Sequence, residues 1–336
     1  MNPNDKNEPD SMRVDGIAIR PESLSRFIGQ ARVVANIRLA IAAAIVRHEP
    51  LDHTLLAGPP GLGKTTMARI IASEMGSRNF ISIVAPSLEH PGHLAGILSA
   101  MTPGTVLFID EIHALAREME EYMYSAMEDR RITITAGEGM QSQVITMPLA
   151  PFTLIGATTR EGMLSAPFLS RFGIRERMEL YGDDDLVTIL TGCLPHLGIT
   201  ATDDSLIAIA AISRGTPRIA QSYLRRLRDF AQIEQYGHLD LPLTRRGLDA
   251  LGVDTHGLTS MDHRIISLLA ASHRPVGLKT IAVAIGEDER TIEDVHEPYL
   301  VQQGIILRTA SGRALGRRGR ELAGLTVTPP VELPSW

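Results

Sequence analysis

The residues with the most specific chemistry are Gly58-Pro59-Pro60-Gly61-Leu62-Gly63-Lys64-Thr65, which match the spacing G-x-x-x-x-G-K-[ST]. Glycines at those places allow a tight loop whose backbone N–H groups converge on a phosphate. A helix that starts where the loop ends adds positive partial charge. Lys64 can then neutralise the β- and γ-phosphates of a nucleoside triphosphate, and the Thr65 hydroxyl can ligate Mg²⁺. Lysine is scarce in this chain: Lys6, Lys64 and Lys279 stand among 33 basic residues, and the rest are arginine. One of these three inside a glycine loop favours phosphate binding over a plain glycine-rich turn.

Val106-Leu107-Phe108-Ile109-Asp110-Glu111 is an apolar run that ends in two acids. Ligands of open α/β sheets bind at the carboxyl ends of strands. There Asp110 can hold Mg²⁺ through water, and Glu111 can orient and deprotonate the water that attacks a γ-phosphate. Alone, the pair would read as a strand followed by an acidic helix cap; the phosphate loop upstream favours the catalytic reading. Ile155-Gly156-Ala157-Thr158-Thr159-Arg160 ends another apolar stretch. A hydroxyl there could bond the γ-phosphate or the water, although threonines after strands also serve as helix caps. Arg171, and Arg218 after Gly215-Thr216-Pro217, are candidates for the further cationic stabilisation that phosphoryl transfer needs, often from a neighbouring subunit. For either, a solvated surface charge is the plain alternative.

These residues need strand ends and loops to hold them together. The first block, about 17–182, alternates helix and strand. Helices are predicted over Ala31–Val46 and Lys64–Met75, and strands over His53–Ala57, Phe80–Val84, Thr105–Asp110 and Phe152–Ala157. Strands without in–out alternation, joined by helices, imply a parallel sheet covered on both faces. Ile132–Thr135 and Gln143–Met147 alternate in period two around Gly137 and Gly139, as a hairpin does. The second block, about 183–253, reads as helices over Asp183–Cys193, Asp203–Ser213 and Pro217–Tyr236. The third, about 254–325, reads as helices over Ser260–Ser272 and Gly277–Ile285, a third from near Asp288, and a hairpin of Ile305–Leu307 with Ala314–Leu315. That is the pattern of a winged helix-turn-helix. Arg308 to Arg320 holds five arginines and no acid. A solvated basic tail is the plain alternative; placement on a wing favours salt-dependent, sequence-independent contact with DNA phosphates.

Composition sets the frame. The chain has 336 residues, 44% hydrophobic and 21% charged, with a net charge of −6. That is the balance of a folded soluble protein with two to three domains. No run approaches a membrane span, and MNPNDKNEPD lacks an apolar signal core. Cys193 is the one cysteine, which rules out an intramolecular disulfide and fits a cytoplasmic location. Residues 1–16 and the proline-rich 326–336 are expected to be disordered.

Together these segments resemble the AAA+ ATPases and, within them, the RuvB family of Holliday junction branch migration motors. The likeness extends from Arg20-Pro21 through the phosphate loop, Phe108-Ile109-Asp110-Glu111-Ile112-His113 and Ala126-Met127-Glu128-Asp129 to Arg171-Phe172-Gly173-Ile174. It continues through Ser213-Arg214-Gly215-Thr216-Pro217-Arg218 and Gln302-Gln303-Gly304, and covers about 20–320. The resemblance implies an α/β P-loop domain with a parallel sheet, an all-α lid domain and a C-terminal winged-helix domain. It also implies site roles. Ile19, Arg20 and Tyr181 would line the adenine pocket. Gly61, Gly63, Lys64, Thr65 and Thr66 would hold phosphates and Mg²⁺. Glu128, Asp129 and Arg130 would contact nucleotide. Thr159, rather than Thr158, would sense the γ-phosphate, Arg171 would be an arginine finger acting on the adjacent subunit, and Arg218 would be the lid's sensor. Arg290, Arg308 and Arg313 would face DNA.

The same resemblance implies ATP with Mg²⁺, a homohexameric ring, duplex and four-way junction DNA, RuvA docking on the hairpin at about 131–147, and RuvC in the same pathway. Three segments depart from the family pattern. Arg130 replaces an aromatic, Glu138 lies between glycines where a basic residue is usual, and Ala310-Ser311 replaces Pro-Arg in the wing. Two rival readings share the nucleotide motifs. One is a switch or loader that binds DNA without moving it. The other is a protein unfoldase, disfavoured because Ala85 to Ala100 contains no aromatic residue for a pore loop.

Overall fold

The computed structural model describes residues 20–136, 143–234, 236–272 and 274–325. Ile19, the expected disordered ends at 1–16 and 326–336, and the hairpin tip with Gly137, Glu138 and Gly139 lie outside them. The chain divides into two compact units, Met1–Thr200 with Gly215–Ser222, and Ala201–Arg214 with Tyr223–Trp336.

In the first unit, helix α1 (Ala31–Arg47) buries Val33, Val34, Ile37, Ile41 and Ala44, the stripe expected of a 3.6-residue period. Strand β1 (Thr54–Ala57) is buried at every position and runs into the glycine loop, which opens helix α2 (Lys64–Glu74). Strand β2 (Phe80–Val84), helix α3 (Pro91–Ser99), strand β3 (Thr105–Asp110) and helix α4 (Arg117–Glu128) follow. Strands β4 (Arg131–Ala136) and β5 (Gln143–Pro148) form the expected antiparallel hairpin, with Ile132 opposite Met147. Then come β6 (Phe152–Thr158), the short helix α5 (Ala166–Leu169), β7 (Ile174–Arg177) and helix α6 (Asp183–Leu197).

The sheet order is β2-β3-β6-β1-β7, and every pair is parallel. Helices cover it with an apolar core that includes Leu55, Leu107, Ile109, Leu154 and Phe168. Register decides what meets at the carboxyl edge. Ala57 of β1 lies opposite Thr158 of β6, and Ile109 of β3 lies opposite Gly156. The glycine loop, the acid pair and the threonine pair therefore emerge side by side from three adjacent strands.

The two-residue strand β8 (Thr200–Ala201) precedes helix α7 (Asp203–Ile212). Helix α8 (Pro217–Glu234) is followed by the two-residue strand β9 (His238–Leu239) and helix α9 (Leu241–Ala250). In the second unit Leu224, Leu227, Leu206, Ile209 and Leu243 are buried. Helices α10 (Ser260–Ala270) and α11 (Leu278–Ile285) precede a helical stretch built of α12 (Glu289–Thr291), a wide turn at Ile292–His296 and α13 (Glu297–Gln302). Strands β10 (Ile306–Thr309) and β11 (Gly312–Leu315) form the wing, and α14 (Arg317–Leu322) closes the fold. Val276 pairs with Arg313 as a further bridge to β11. Ile265, Ile281, Ile285, Leu300, Ile306 and Leu315 form the core of this winged helix.

Candidate functional site

The glycine loop is fixed at both ends. Gly58 N–H donates to Thr158 O at 3.1 Å, which ties the loop to β6. Gly61 has φ +80°, and a Cβ there would lie 2.6 Å from Thr216 Cγ2 and 3.0 Å from Arg218 Cβ. The missing side chain is what lets the Thr216–Arg218 segment lie against the loop, where Arg218 N–H donates to Gly61 O at 3.4 Å. Arg218 is exposed at the start of α8, and its charge is among those that act on Lys64.

Lys64 is only 7% exposed. Its ammonium donates to Gly58 O and Pro59 O, each at 2.8 Å. Burial lowers its pKa, the carboxylates of Glu111 and Asp110 oppose that, and Arg218 reinforces it. A buried cation in the first turn of a helix that a glycine loop opens is a site suited to polyphosphate.

Thr65 Oγ1 donates to Asp110 Oδ2 at 3.4 Å, and Asp110 Oδ1 accepts Glu111 N–H at 3.0 Å. A hydroxyl beside a carboxylate is an all-oxygen donor set that suits Mg²⁺, which keeps waters and takes further ligands from phosphate. Among the described residues there is no cluster of three His, Cys, Asp or Glu that would favour a different metal.

Glu111 adopts φ +51° and ψ +44°, a left-handed conformation that non-glycine residues rarely take. That turn brings its carboxylate back across the sheet edge. Its Oε2 accepts from Thr159 Oγ1 at 3.2 Å. Thr158 is fully buried and accepts Arg160 N–H at 3.0 Å, so of the two threonines Thr159 is the one that touches the acid. His113 Nδ1 lies 3.2 Å from Glu111 Oε2 and 2.9 Å from Thr158 Oγ1. The sequence reading gave His113 no role; its place two residues after the acid pair was the available signal. Tyr181 donates from its hydroxyl to Leu62 O at 3.2 Å and from its backbone to Gly215 O at 2.9 Å. Burial raises the Tyr181 pKa and keeps it a neutral donor. Arg20 is exposed, and Thr66 is half-buried in the first turn of α2.

Arg171 and Glu128 are engaged elsewhere. Arg171 donates to Pro167 O and to Glu128 Oε2, the latter at 3.0 Å, and its guanidinium carbon stands 4.3 Å from the Tyr124 ring centroid. Its Nε is buried without a hydrogen-bond partner. Arg130, with φ +51°, joins Arg171, Ser170, Asp52 and His53 around a cleft of about 310 Å³. Asp129 is exposed where α4 ends. The structure thus gathers the phosphate loop, Asp110, Glu111, Thr159, Arg218 and Tyr181 in one cluster, and sets Arg171, Glu128 and Arg130 in a second.

The arginines of the winged helix differ in their freedom. Arg313 is 18% exposed and grips the buried Glu297 at 2.9 and 3.0 Å. Arg308 also bonds Glu297 at 2.7 Å but stays 53% exposed, and Arg290 is exposed at the start of the helical stretch. Arg313 is thus held mainly by the fold, whereas Arg308 and Arg290 remain open to a ligand.

Comparison with known proteins gives consistent matches along the chain. Residues 19–178 match the Holliday junction DNA helicase RuvB P-loop domain, 181–254 the RuvB AAA lid domain, and 255–323 the RuvB C-terminal winged helix domain. The chain is 48% identical over 299 residues to the Holliday junction branch migration complex subunit RuvB of Staphylococcus aureus strain RF122, covering 88% of this chain and 89% of that protein. The same identity and coverage hold for the protein of strain Newman. Among solved structures, the Thermotoga maritima RuvB Holliday junction branch migration motor superposes with a TM-score of 0.82 at 39% identity, covering 92% of this chain and 99% of that one.

Proposed function

The chain belongs to the RuvB family of Holliday junction branch migration ATPases, and from that premise we propose that it works as one subunit of a homohexameric ring that draws duplex DNA by hydrolysing ATP. The observation that carries the reading is the meeting of Lys64, the Thr65–Asp110 pair and the Thr159–Glu111 pair at the ends of β1, β3 and β6. We assign an ATPase domain to 17–182, a lid to 183–253 and a winged-helix DNA-binding domain to 254–325.

Lys64 turns from its loop carbonyls to the β- and γ-phosphates, and the backbone N–H groups of Gly61, Gly63, Thr65 and Thr66 hold the remaining oxygens. Mg²⁺, held by the Thr65 hydroxyl and through water by Asp110, would neutralise phosphate charge. Glu111 accepts a proton as the oxygen of water bonds to the γ-phosphorus and the bond to the β–γ bridging oxygen breaks. ADP leaves with that oxygen and the electron pair. Arg171 acts in trans on the charge of the transferring group in the neighbouring subunit, where Glu128, Asp129 and Arg130 adjoin the nucleotide. Arg218 links the lid to the γ-phosphate, and Tyr181 with Ile19 and Arg20 forms the adenine pocket.

We infer that the hairpin at about 131–147 docks on RuvA, with the exposed Ile145 offering an apolar contact. RuvC acts in the same pathway, and Arg290 and Arg308 meet DNA phosphates more directly than Arg313. No helix among the described residues is long and apolar enough to cross a membrane; a cytoplasmic location accords with that and with the single cysteine. The test is dissociation of a synthetic four-way DNA junction by the protein with its cognate RuvA and Mg·ATP. ATP-dependent dissociation that disappears in Lys64→Ala is expected. An intact junction alongside continuing ATP hydrolysis would replace the motor with a nucleotide switch that binds DNA without moving it.

A further inference from the structure

Glu111 lies on a strained turn and is 38% exposed, so something must keep its carboxylate in one orientation. The turn itself is rigid. Ala114 N–H donates to Glu111 O at 2.8 Å, and Leu115 N–H to Ile112 O at 3.2 Å. Ile112 is fully buried against Gly156, where a Cβ would stand 2.8 Å from its Cδ1. His113 follows directly and is therefore delivered to a fixed place, with its side chain 12% exposed.

Its Nδ1 has two oxygen neighbours, Thr158 Oγ1 at 2.9 Å and Glu111 Oε2 at 3.2 Å. A lone pair on Nδ1 would point at the carboxylate and repel it. The arrangement is favourable when Nδ1 carries the proton and shares it between the two oxygens. Thr158 is itself held in β6 by Arg160 N–H. The imidazole thus anchors Glu111 to the end of the strand that also supplies Thr159. Thr159 and His113 both take Oε2, and this leaves Oε1 as the oxygen to receive a proton.

We propose that His113 is a positioning residue for ATP hydrolysis: through Nδ1–H it holds the Glu111 carboxylate in the orientation that accepts the proton of the attacking water. This rests on the reading of Glu111 as the base. The physical expectation follows from geometry, since a small misplacement of a catalytic group costs as much as ~100-fold in rate while leaving substrate binding intact.

The experiment compares His113→Ala, His113→Asn and His113→Gln in the full-length protein by steady-state ATPase and by titration with a fluorescent ATP analogue. The amide nitrogen of asparagine can stand where Nδ1 stood; that of glutamine reaches the place of Nε2. His113→Ala and His113→Gln should lower kcat by ~10- to 100-fold with KM and the analogue's Kd within about 3-fold of native. His113→Asn should return kcat to within about 3-fold of native. If His113→Ala does not fold, the asparagine–glutamine pair decides alone. Full activity in His113→Gln, an asparagine variant as slow as the glutamine one, or a loss that tracks Kd would each overturn the proposal. Glu111→Gln separates the two ideas. If it still turns over, the base assignment fails; if it is silent while His113→Gln runs at the native rate, only the role of His113 fails.

Discussion

At the scale of single residues, Gly61 sets how the phosphate loop meets the start of α8. Its φ of +80° is disfavoured for any residue with a Cβ, and that Cβ would press on Thr216 and Arg218 at 2.6 and 3.0 Å. Gly61→Ala should therefore weaken nucleotide binding by at least ~10-fold, through a distorted loop and a displaced Arg218. Titration with a fluorescent nucleotide tests this, and native affinity in the variant would sink it. The meeting of Lys64, Thr65, Asp110 and Glu111 was legible in the sequence because each lies on a loop or at a strand end that the local sequence defines. The closeness of Thr216 to Gly61, and the bond of His113 to Thr158, depend on which strands and turns become neighbours. Nothing in the local sequence around Thr216 or His113 encodes that. Arg171 shows the same limit, since its ion pair with Glu128 joins residues from α4 and the loop after α5.

Elements follow the sequence where apolar residues dominate a run and depart from it where charge breaks the run. Strands β2 and β3 occupy the predicted residues, whereas β7 was missed because Ile174-Arg175-Glu176-Arg177 holds one apolar residue followed by three charged ones, which reads as a loop. Helices α3, α4, α5, α9 and α14 were also missed; α5 and α14 are too brief for their period to stand out. In the second unit, one buried carboxylate stabilises the start of α10. Asp262 accepts from the Thr259 backbone and hydroxyl at 2.8 Å each, from His296 at 2.7 Å and from Arg214. Burial pushes its pKa up, but the His296 bond, the Arg214 charge and the Thr259 donors outweigh that and bring it from 3.8 to about 2. A depressed carboxylate stabilises the fold fully above its unfolded value and loses that contribution as pH falls through the folded one. The second unit should thus lose roughly 2 kcal/mol between pH 4 and pH 2 from this group. Urea unfolding across that range, followed by circular dichroism, should give a flatter profile for Asp262→Asn, which starts less stable. Parallel profiles for the two proteins would place the acid sensitivity elsewhere.

At the scale of the whole molecule, the two separate clusters set the terms of assembly. Lys64 and Glu111 stand in one, while Arg171 is held by Glu128 in the other, near Arg130 and a cleft open to solvent. If Arg171 completes the site of a neighbour, a working site needs the phosphate loop of one subunit and the arginine of the next. Lys64→Ala removes the first and keeps the second; Arg171→Ala does the reverse. Each variant alone should be inactive. Mixed in equal amounts before rings form, they should recover activity, because a site functions when an Arg171→Ala subunit is followed by a Lys64→Ala subunit. Random order around a heterologous ring makes that about one site in four. ATPase measured against mixing ratio should therefore trace a parabola with its maximum at equal amounts, near a quarter of the native rate if sites fire independently. An arginine acting within its own subunit gives no activity at any ratio, since every subunit then lacks one half of its own site. The shape of the curve adds a further reading. A maximum well below a quarter means that firing at one interface requires active neighbours, which ties hydrolysis to concerted motion around the ring.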